Sequence, residues 1–432
     1  MQLAVTAKHM PYRPYTNLLP SSDDIWQYIA DMITDWNLSS YIRLSHEVLD
    51  AQWKGTSTAG RWALRVHDKT KDVITEAAYD HLFVAVGPDH YPNEPHFEGR
   101  EMWEHSGIKR QIYHSIYYRS PDVFQGKNVL VVGAGPSGVD IVSRIVDIAN
   151  SVRFLWIWIM RILTLSKTYI SVKPVAIPEL SGDIPEGVHV KPVIERFTSN
   201  SIVFTDNTSL THIDTVILAT GYKFIIPFLT AGGYLEETSN ISRLPDDRTM
   251  RTNTRYIWPL WQHMLSLDPR YPLGSLYFMS IPIITPAMYC GIVQTLFALH
   301  TIADPSLLQS RDTFFSHLLA QEDRLRAKGF DPDKYGHSVY LNQGSNAYYD
   351  EVVGYLQERG LGGMPEIPPL GQNYSDSWRV IDMPHIFSVV VNWLKVESRG
   401  EDVVRQWLEG VETEDQWVAL MDKLFDLGEE GI

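Results

Sequence analysis

Three glycines spaced Gly133-x-Gly135-x-x-Gly138 stand between an apolar run, Asn128–Val132, and a stretch where Ile141, Val142, Ile145, Val146 and Ala149 recur at helical spacing. A strand, glycine turn and helix in that order suit the pyrophosphate of a dinucleotide. Gly133 permits the tight turn, Gly135 lets the backbone approach the phosphates, and Gly138 allows the helix to pack closely on the strand. The helix N-terminus then faces negative charge. The candidate binding residues are therefore Gly133, Ala134, Gly135, Pro136, Ser137 and Gly138. A glycine turn that holds no ligand is the plain alternative. A hydrolase nucleophile elbow is excluded, because it needs glycine two places after the serine and Ser137 is followed by Gly138 and Val139.

The nature of the dinucleotide is read further on. An NAD site places Asp or Glu about twenty residues past the fingerprint, at the end of the second strand, to hold the ribose hydroxyls. From Val152 to Ile170 there is no carboxylate, while Arg153, Arg161 and Lys167 are available to meet a 2′-phosphate. NADPH is favoured over NADH. A second signal is the strand ending Leu218-Ala219-Thr220-Gly221-Tyr222, echoed at Phe83-Val84-Ala85-Val86-Gly87. Their positions on either side of the glycine-rich unit suit a dinucleotide domain inserted between two portions of another nucleotide-binding sheet.

The elements that position these residues follow from pattern. Ser21-Ser22-Asp23-Asp24 followed by Ile25, Tyr28, Ile29, Met32 and Ile33 predicts a helix over 23–36. Arg43–Val48, Trp62–Val66 and His81–Val86, separated by turn-like Lys54–Gly60 and Asp68–Asp72, read as a small antiparallel meander. Val188–Val193, Ser201–Thr205 and Thr215–Leu218 read as further strands, and 230–275 as loop-rich with a solvated turn at Arg243–Arg248. Past 305 the chain is mainly helical, with Phe314, Phe315, Leu318 and Leu319 on one face and Trp417, Leu420, Met421 and Leu424 on another.

Composition excludes several classes. A chain of 432 residues with 44% hydrophobic and 21% charged residues has material for a core and for two or three globular units. Its net charge of -15 repels a phosphate backbone, so nucleic acid is not an expected partner. The single cysteine, Cys290, permits neither an internal disulfide, nor a Cys-based zinc site, nor a redox Cys-x-x-Cys pair. The opening MQLAVTAKHM lacks the order of a secretion signal, so the expected location is cytoplasmic. Leu273–Ala303 carries no Asp, Glu, Lys or Arg, but Pro282 and Pro286 interrupt it. A buried strand, Leu276–Met279, and a helix carrying Tyr289, Val293, Leu296 and Phe297 are expected there, with no membrane span. The shorter apolar run Phe154–Met160 reads as an interior strand or a partner-facing patch.

Asp80–Gly87, Pro95–Gly99, His114-Ser115-Ile116-Tyr117-Tyr118-Arg119, Gly126-Lys127, Gly133–Gly138 and Ala219–Tyr222, in this order and spacing, resemble the flavin-containing monooxygenase family. The similarity extends to Trp258-Pro259, Asp268-Pro269 and Gln294, and is strongest in flavour to fungal members. The resemblance implies an α/β chain with two Rossmann-like nucleotide-binding domains, the NADPH domain inserted into the FAD domain, plus a helical C-terminal region. The expected boundaries are 1–119 for a partial FAD domain, 120–222 for the NADPH domain, 223–305 for the return to the FAD domain and 306–432 for the helical region. It implies FAD and NADPH as cofactors, O2 and a small organic substrate as partners, and insertion of one oxygen atom through a hydroperoxyflavin, in N-, S- or Baeyer-Villiger-type oxidation. It also implies cofactor contacts by His114, Tyr118, Arg119, Thr220, Gly221, Tyr222, Gly87, Val48 and Gln294, with Val48 reaching the adenine of FAD through its backbone. No catalytic side chain and no metal ligand is expected, because the cofactor carries the hard step.

The chain departs from the family pattern in three places. No glycine-rich fingerprint stands ahead of residue 23, where the family places its FAD glycines, so the FAD domain is expected to be incomplete. In the fingerprint Phe-x-Gly-x-x-x-His-x-x-x-aromatic, Ile108 and Arg110 replace the phenylalanine and glycine, while His114 and Tyr118 keep their places. Trp156, Ile157 and Trp158 stand where the family's second strand leads to a Ser and Arg that grip the 2′-phosphate, leaving Arg161 or Lys167 to substitute. Asn17 reads as a loop asparagine. These departures keep open a degenerate, non-catalytic NADP(H)-binding relative. An incomplete FAD domain would also leave strands at His81–Val86 and Thr215–Leu218 with unpaired edges, predicting poor solubility or a homodimer.

Overall fold

In the computed structural model the described residues are 22–106, 109–151, 168–171, 187–244, 247–283, 285–377 and 383–427, and the chain divides into two units. The first comprises Met1–Gly87 with Phe224–Ile432, and the second is the inserted Pro88–Lys223.

Unit 1 opens with α1 (Ser22–Asp35), whose first turn carries Asp23 and Asp24 against the positive helix end. Tyr28 is buried, whereas Trp26 is 70% exposed. An antiparallel meander follows: β1 (His46–Gly55), β2 (Gly60–Asp68) and β3 (Val73–Tyr79). Trp53 pairs across from Trp62 with ring centroids 5.6 Å apart, edge to face. The third meander strand is thus Val73–Tyr79, not the expected His81–Val86. Most of β3 is exposed, so it lacks the apolar alternation that marks a strand in sequence. The stretch assigned to it supplies instead β4 (Leu82–Val84), which belongs to another sheet.

Unit 2 contains β5 (Tyr91–Pro92), α2 (Arg100–Glu104), β6 (Gln111–His114), β7 (Val129–Val132), α3 (Pro136–Ser151), β8 (Thr168–Ser171), β9 (His189–Lys191), β10 (Ile194–Phe197), β11 (Ser201–Phe204), β12 (Ser209–Thr211), β13 (Thr215–Leu218) and β14 (Tyr222–Lys223). Its centre is a parallel five-stranded sheet in the order β6-β13-β7-β8-β9. Buried on both faces, β7 and β13 read as unbroken apolar runs. Alternation assigns Val129, Val131 and Ile217 to the face covered by Ile141, Val142 and Ile145 of α3. Leu130, Val216 and Leu218 take the other face, packed with Trp103, Phe197 and Ile202, the last two from the β10-β11-β12 meander.

The second unit spans Pro88–Lys223, and within it β6 pairs in register with β13 (His114 opposite Leu218) and belongs to this sheet. The strand beside β7 is Thr168–Ser171, so the second strand lies beyond Trp156-Ile157-Trp158. The run Phe154–Met160, Arg153, Arg161, Lys167 and Asn17 lie outside the described residues, as does Ile108. Thr215–Leu218, expected to present an open edge, is an inner strand paired on both sides.

Unit 1 resumes with α4 (Pro227–Ala231) and short strands β15 (Glu236–Glu237), β16 (Arg251–Thr252), β17 (Ile257–Trp258), β18 (Leu260–Trp261) and β19 (Leu265–Ser266), giving 230–275 more sheet than expected. β20 (Leu276–Phe278) is fully buried and runs parallel to β4 in the order β18-β19-β20-β4. After Pro286 comes α5 (Ala287–Ala303), then α6 (Arg311–Ala327) and α7 (Ser345–Leu356). Trp261 sits between Phe297 of α5, Phe314 of α6 and Tyr355 of α7, with centroids at 4.8, 4.6 and 5.3 Å. Arg243, expected on a solvated turn, is 20% exposed and pairs with the buried Glu322 and with Asp333. Opposite charges supplied from past residue 320 are what draw it in. α8 (Met383–Glu397), α9 (Glu401–Leu408) and α10 (Glu414–Asp426) share a core of their own, including Trp393, Trp417 and Leu424. Among the described residues no helix is long and apolar enough to cross a membrane, and no group of His, Cys, Asp or Glu is arranged to hold a metal ion.

Candidate functional site

The order of the parallel sheet creates a switch point. From β7 the chain proceeds outward through β8 and β9, while β13 and β6 lie on the other side of β7. In open parallel sheets the crevice between strands that diverge in this way, at their carboxyl ends, is where nucleotides bind. The turn after β7 is Gly133–Gly138, and the turn after β13 is Ala219–Tyr222. The two fingerprints read from the sequence meet at this crevice.

Each glycine of the first turn has its own reason. A Cβ on Gly133, whose φ is 109°, would lie 2.3 Å from the Ala219 carbonyl oxygen. A Cβ on Gly138 would lie 2.0 Å from the Gly133 oxygen, so this glycine lets α3 close onto the turn. A Cβ on Gly135 would meet nothing within 4 Å. Its open side is what a phosphate approaching the backbone requires, and nothing in the protein's own packing does. α3 starts at Pro136, which has no N–H to lose, and its ladder begins with Val139 N donating to Gly135 O at 3.0 Å. The amides of Ser137 and Gly138 precede that ladder and carry the helix's positive end. The glycine turn is tied to its neighbours by Gly133 N donating to Ser171 O at 2.9 Å and Ala219 N donating to Val132 O at 2.8 Å.

His114 closes β6 and is wholly buried. Its Nδ1 accepts from the Ile116 amide at 3.2 Å, so the proton resides on Nε2, which donates to the Gly221 carbonyl at 2.9 Å. Burial lowers its pKa below the ordinary histidine value. The neutral imidazole is therefore a fixed strut between the end of β6 and the turn after β13. Tyr222 meets its ring edge to face at 5.0 Å. Tyr118 stacks on Phe124 at 5.9 Å, its hydroxyl buried and raised in pKa by that burial. Arg119 folds back on its own loop and donates to the carbonyls of Ile116 and Tyr118 at 2.6 and 2.8 Å.

One partner of this turn carried no sequence signal. Asn93 donates from Nδ2 to Thr220 O at 3.1 Å and from its amide to Gly221 O at 2.9 Å, and it accepts at its carbonyl from Thr220 Oγ1 at 2.5 Å. It extends the ribbon in which Tyr91–Pro92 pairs antiparallel with Tyr222–Lys223. At the end of β8, Ser171 is buried and donates to Pro192 O at 2.6 Å.

Arg110 explains its departure from the fingerprint glycine. Its guanidinium lies 4.9 Å from the centre of the Trp103 ring and donates to Ser106 Oγ and to Ser199 O, both at 2.7 Å. A glycine there would leave the loop before β6 without this buried tie.

The remaining expected site residues belong to unit 1. Gly87, at φ 70°, follows β4, and Gln294 on α5 accepts at Oε1 from the Ser280 amide just past β20 at 2.7 Å, so both stand at the carboxyl end of the β4-β20 pair. Gln294 is fully buried and also donates from Nε2 to Tyr348 Oη at 2.8 Å. Val48 is set apart in the meander, opposite Val66, next to a bulge before Asp50. Among the described residues, unit 1 holds no strand, glycine turn and helix of the kind seen at Gly133–Gly138. The glycine turn with an open side lies in unit 2; the described part of unit 1 does not provide the phosphate cradle of an FAD.

The family model described as Flavin-binding monooxygenase-like matches residues 8–161 and 157–242, together more than half of the chain. "Flavin-containing monooxygenase FMO GS-OX-like 2" of Arabidopsis thaliana is 25% identical over 368 residues, covering 83% of this chain and 70% of that protein. "Flavin-containing monooxygenase 3" of Homo sapiens is 28% identical over 276 residues, 51% of each chain. The chain spans about half to 70% of the length of these curated relatives. The solved S-allyl-L-cysteine S-oxygenase from Allium sativum superposes with a TM-score of 0.62 at 17% identity, over 94% of this chain and 76% of that one. Tmm from Pelagibacter sp. strain HTCC7211 gives 0.54 at 18% identity, over 91% and 70%. These two share the α/β fold, with its parallel sheets and helical C-terminal region.

Proposed function

As this chain belongs to the Flavin-binding monooxygenase-like family, we propose that it works as an NADPH- and FAD-dependent monooxygenase that places one oxygen atom from O2 into a small organic substrate. The observation that carries this reading is the open side of Gly135, flanked by two glycines that the protein's own backbone demands. In unit 2 the amides of Ser137 and Gly138 receive the pyrophosphate, and the Ala219–Tyr222 turn, held by His114, walls the crevice. A flavin, when bound, would supply the oxygen chemistry; the residues of unit 2 bind and orient the nicotinamide dinucleotide that serves as reductant. His114 takes no proton in this scheme, because both ring nitrogens are engaged by the backbone.

The purified full chain, incubated with FAD and freed of excess, is expected to turn yellow and to consume NADPH in air. A second reading is a non-catalytic NADP(H)-binding relative, favoured by the lack of a second glycine turn among the described residues. Heat on titration with NADPH together with colourless protein after FAD incubation selects that reading, and stoichiometric flavin removes it.

A further inference from the structure

We propose that Asn93 is a positioning residue for the nicotinamide-bearing half of the dinucleotide, acting through the Ala219–Tyr222 turn. The inference rests on the dinucleotide reading above and deepens it. In a doubly wound sheet the two halves of a dinucleotide lie on opposite sides of the switch point. The adenosine half belongs with the β7-β8-β9 side and the nicotinamide half with the β13-β6 side. The turn after β13 borders the glycine turn directly, since the Ala219 carbonyl occupies the space in front of Gly133.

The backbone of this turn is not held by sheet pairing alone. Thr220 O accepts from Asn93 Nδ2, and Gly221 O accepts from both Asn93 N and His114 Nε2. The Thr220 hydroxyl returns a bond to Asn93 O, so Asn93 and Thr220 grip each other in both directions. Gly221 sits at φ 77° with open space where a Cβ would lie, so no side chain of its own anchors this residue. Hydrogen bonds fix it. Without Nδ2 the Thr220 carbonyl loses that donor, while the Gly221 carbonyl keeps the Asn93 amide and His114, so the loosening of the turn's wall falls at the Thr220 peptide alone. The β8-β9 side has no part in this grip.

The test separates the two halves of the ligand. Calorimetry on the full-length wild type and on Asn93→Ala is run with NADP+ and with adenosine 2′,5′-bisphosphate, which carries the adenosine half alone. For Asn93→Ala, NADP+ affinity is expected to fall about two- to tenfold, the worth of one such hydrogen bond, with the bisphosphate unchanged. Equal weakening of both ligands, or none for NADP+, overturns the proposal. If Asn93→Ala melts too low to titrate, Thr220→Val, which removes the reciprocal bond at nearly constant volume, must show the same split, and its failure to do so overturns the proposal as well. Wild type that binds neither ligand overturns the dinucleotide reading itself, an outcome distinct from an absent split.

Discussion

The carbonyl oxygen of Ala219 stands 2.3 Å from the position a Cβ would take on Gly133, although the two residues belong to turns far apart in sequence. One strand ending thus dictates the residue type at the other. The three fingerprint glycines accordingly predict different phenotypes. Gly133→Ala and Gly138→Ala meet backbone oxygens and are expected to destabilise the fold by about 2 kcal/mol or more, seen as a lower urea midpoint. Gly135→Ala is expected to keep the wild-type midpoint and lose dinucleotide affinity, measured by calorimetry. A Gly135→Ala protein that binds NADP+ normally would remove the pyrophosphate from this turn.

His114→Ala removes a buried ring together with its bonds to Gly221 and Ile116. A loss of about 2–4 kcal/mol in chemical denaturation is expected, with weaker NADP+ binding as the Ala219–Tyr222 turn loosens. His114→Ala that is as stable as wild type would contradict the strut.

In unit 1 a pair of buried histidines sets a pH dependence. His337 Nε2 accepts from the Ile257 amide at 2.9 Å, so its Nδ1 carries the proton toward His263 Nδ1, 3.3 Å away. Burial lowers His263 to about 4 and His337 well below the ordinary value. Both are protonated more readily in the unfolded chain, so stability is full above about pH 6.5 and falls as pH drops through that value toward about 4. His263 alone accounts for roughly 3 kcal/mol over this range. Denaturation midpoints at pH 7 and pH 4.5 measure it, and a flat profile refutes the neutral pair. Carboxylates held low by hydrogen bonds, such as Asp206 and Asp304, act at lower pH and do not confuse the window.

Arg110→Gly restores the family's fingerprint residue and is nonetheless expected to destabilise unit 2 by about 2–4 kcal/mol, because the buried guanidinium ties Ser106 and Ser199 to the Trp103 ring. Thermal melting of the variant checks this, and an unchanged midpoint would make the arginine incidental.

What was legible in the sequence was whatever depends on neighbours in the chain. The run ending at Val132, the glycine triad and the α3 face carry their periodicities locally, as do β20 and α5 on either side of Pro286. What was not legible depends on distant partners. Asn93 bonds to a residue 127 positions away, and nothing in Pro92-Asn93-Glu94-Pro95 announces it. β3 is hidden by its exposure, and β6 by polar Gln111 and His114 at its ends, which only the β13 pairing makes into a strand. Arg243 looks solvated in sequence because its acids, Glu322 and Asp333, come from later helices.

The ribbon of Tyr91–Pro92 against Tyr222–Lys223 brings the entry and the exit of the insert side by side. Its two chain ends depart within a strand spacing of each other, so the surrounding sequence closes the same short gap whatever the excursion contains, and the loop-closure cost to the host does not grow with the length of the guest. A unit whose two ends meet in this way is a portable cassette: it can be lengthened, trimmed or traded for a relative's without the host fold having to stretch.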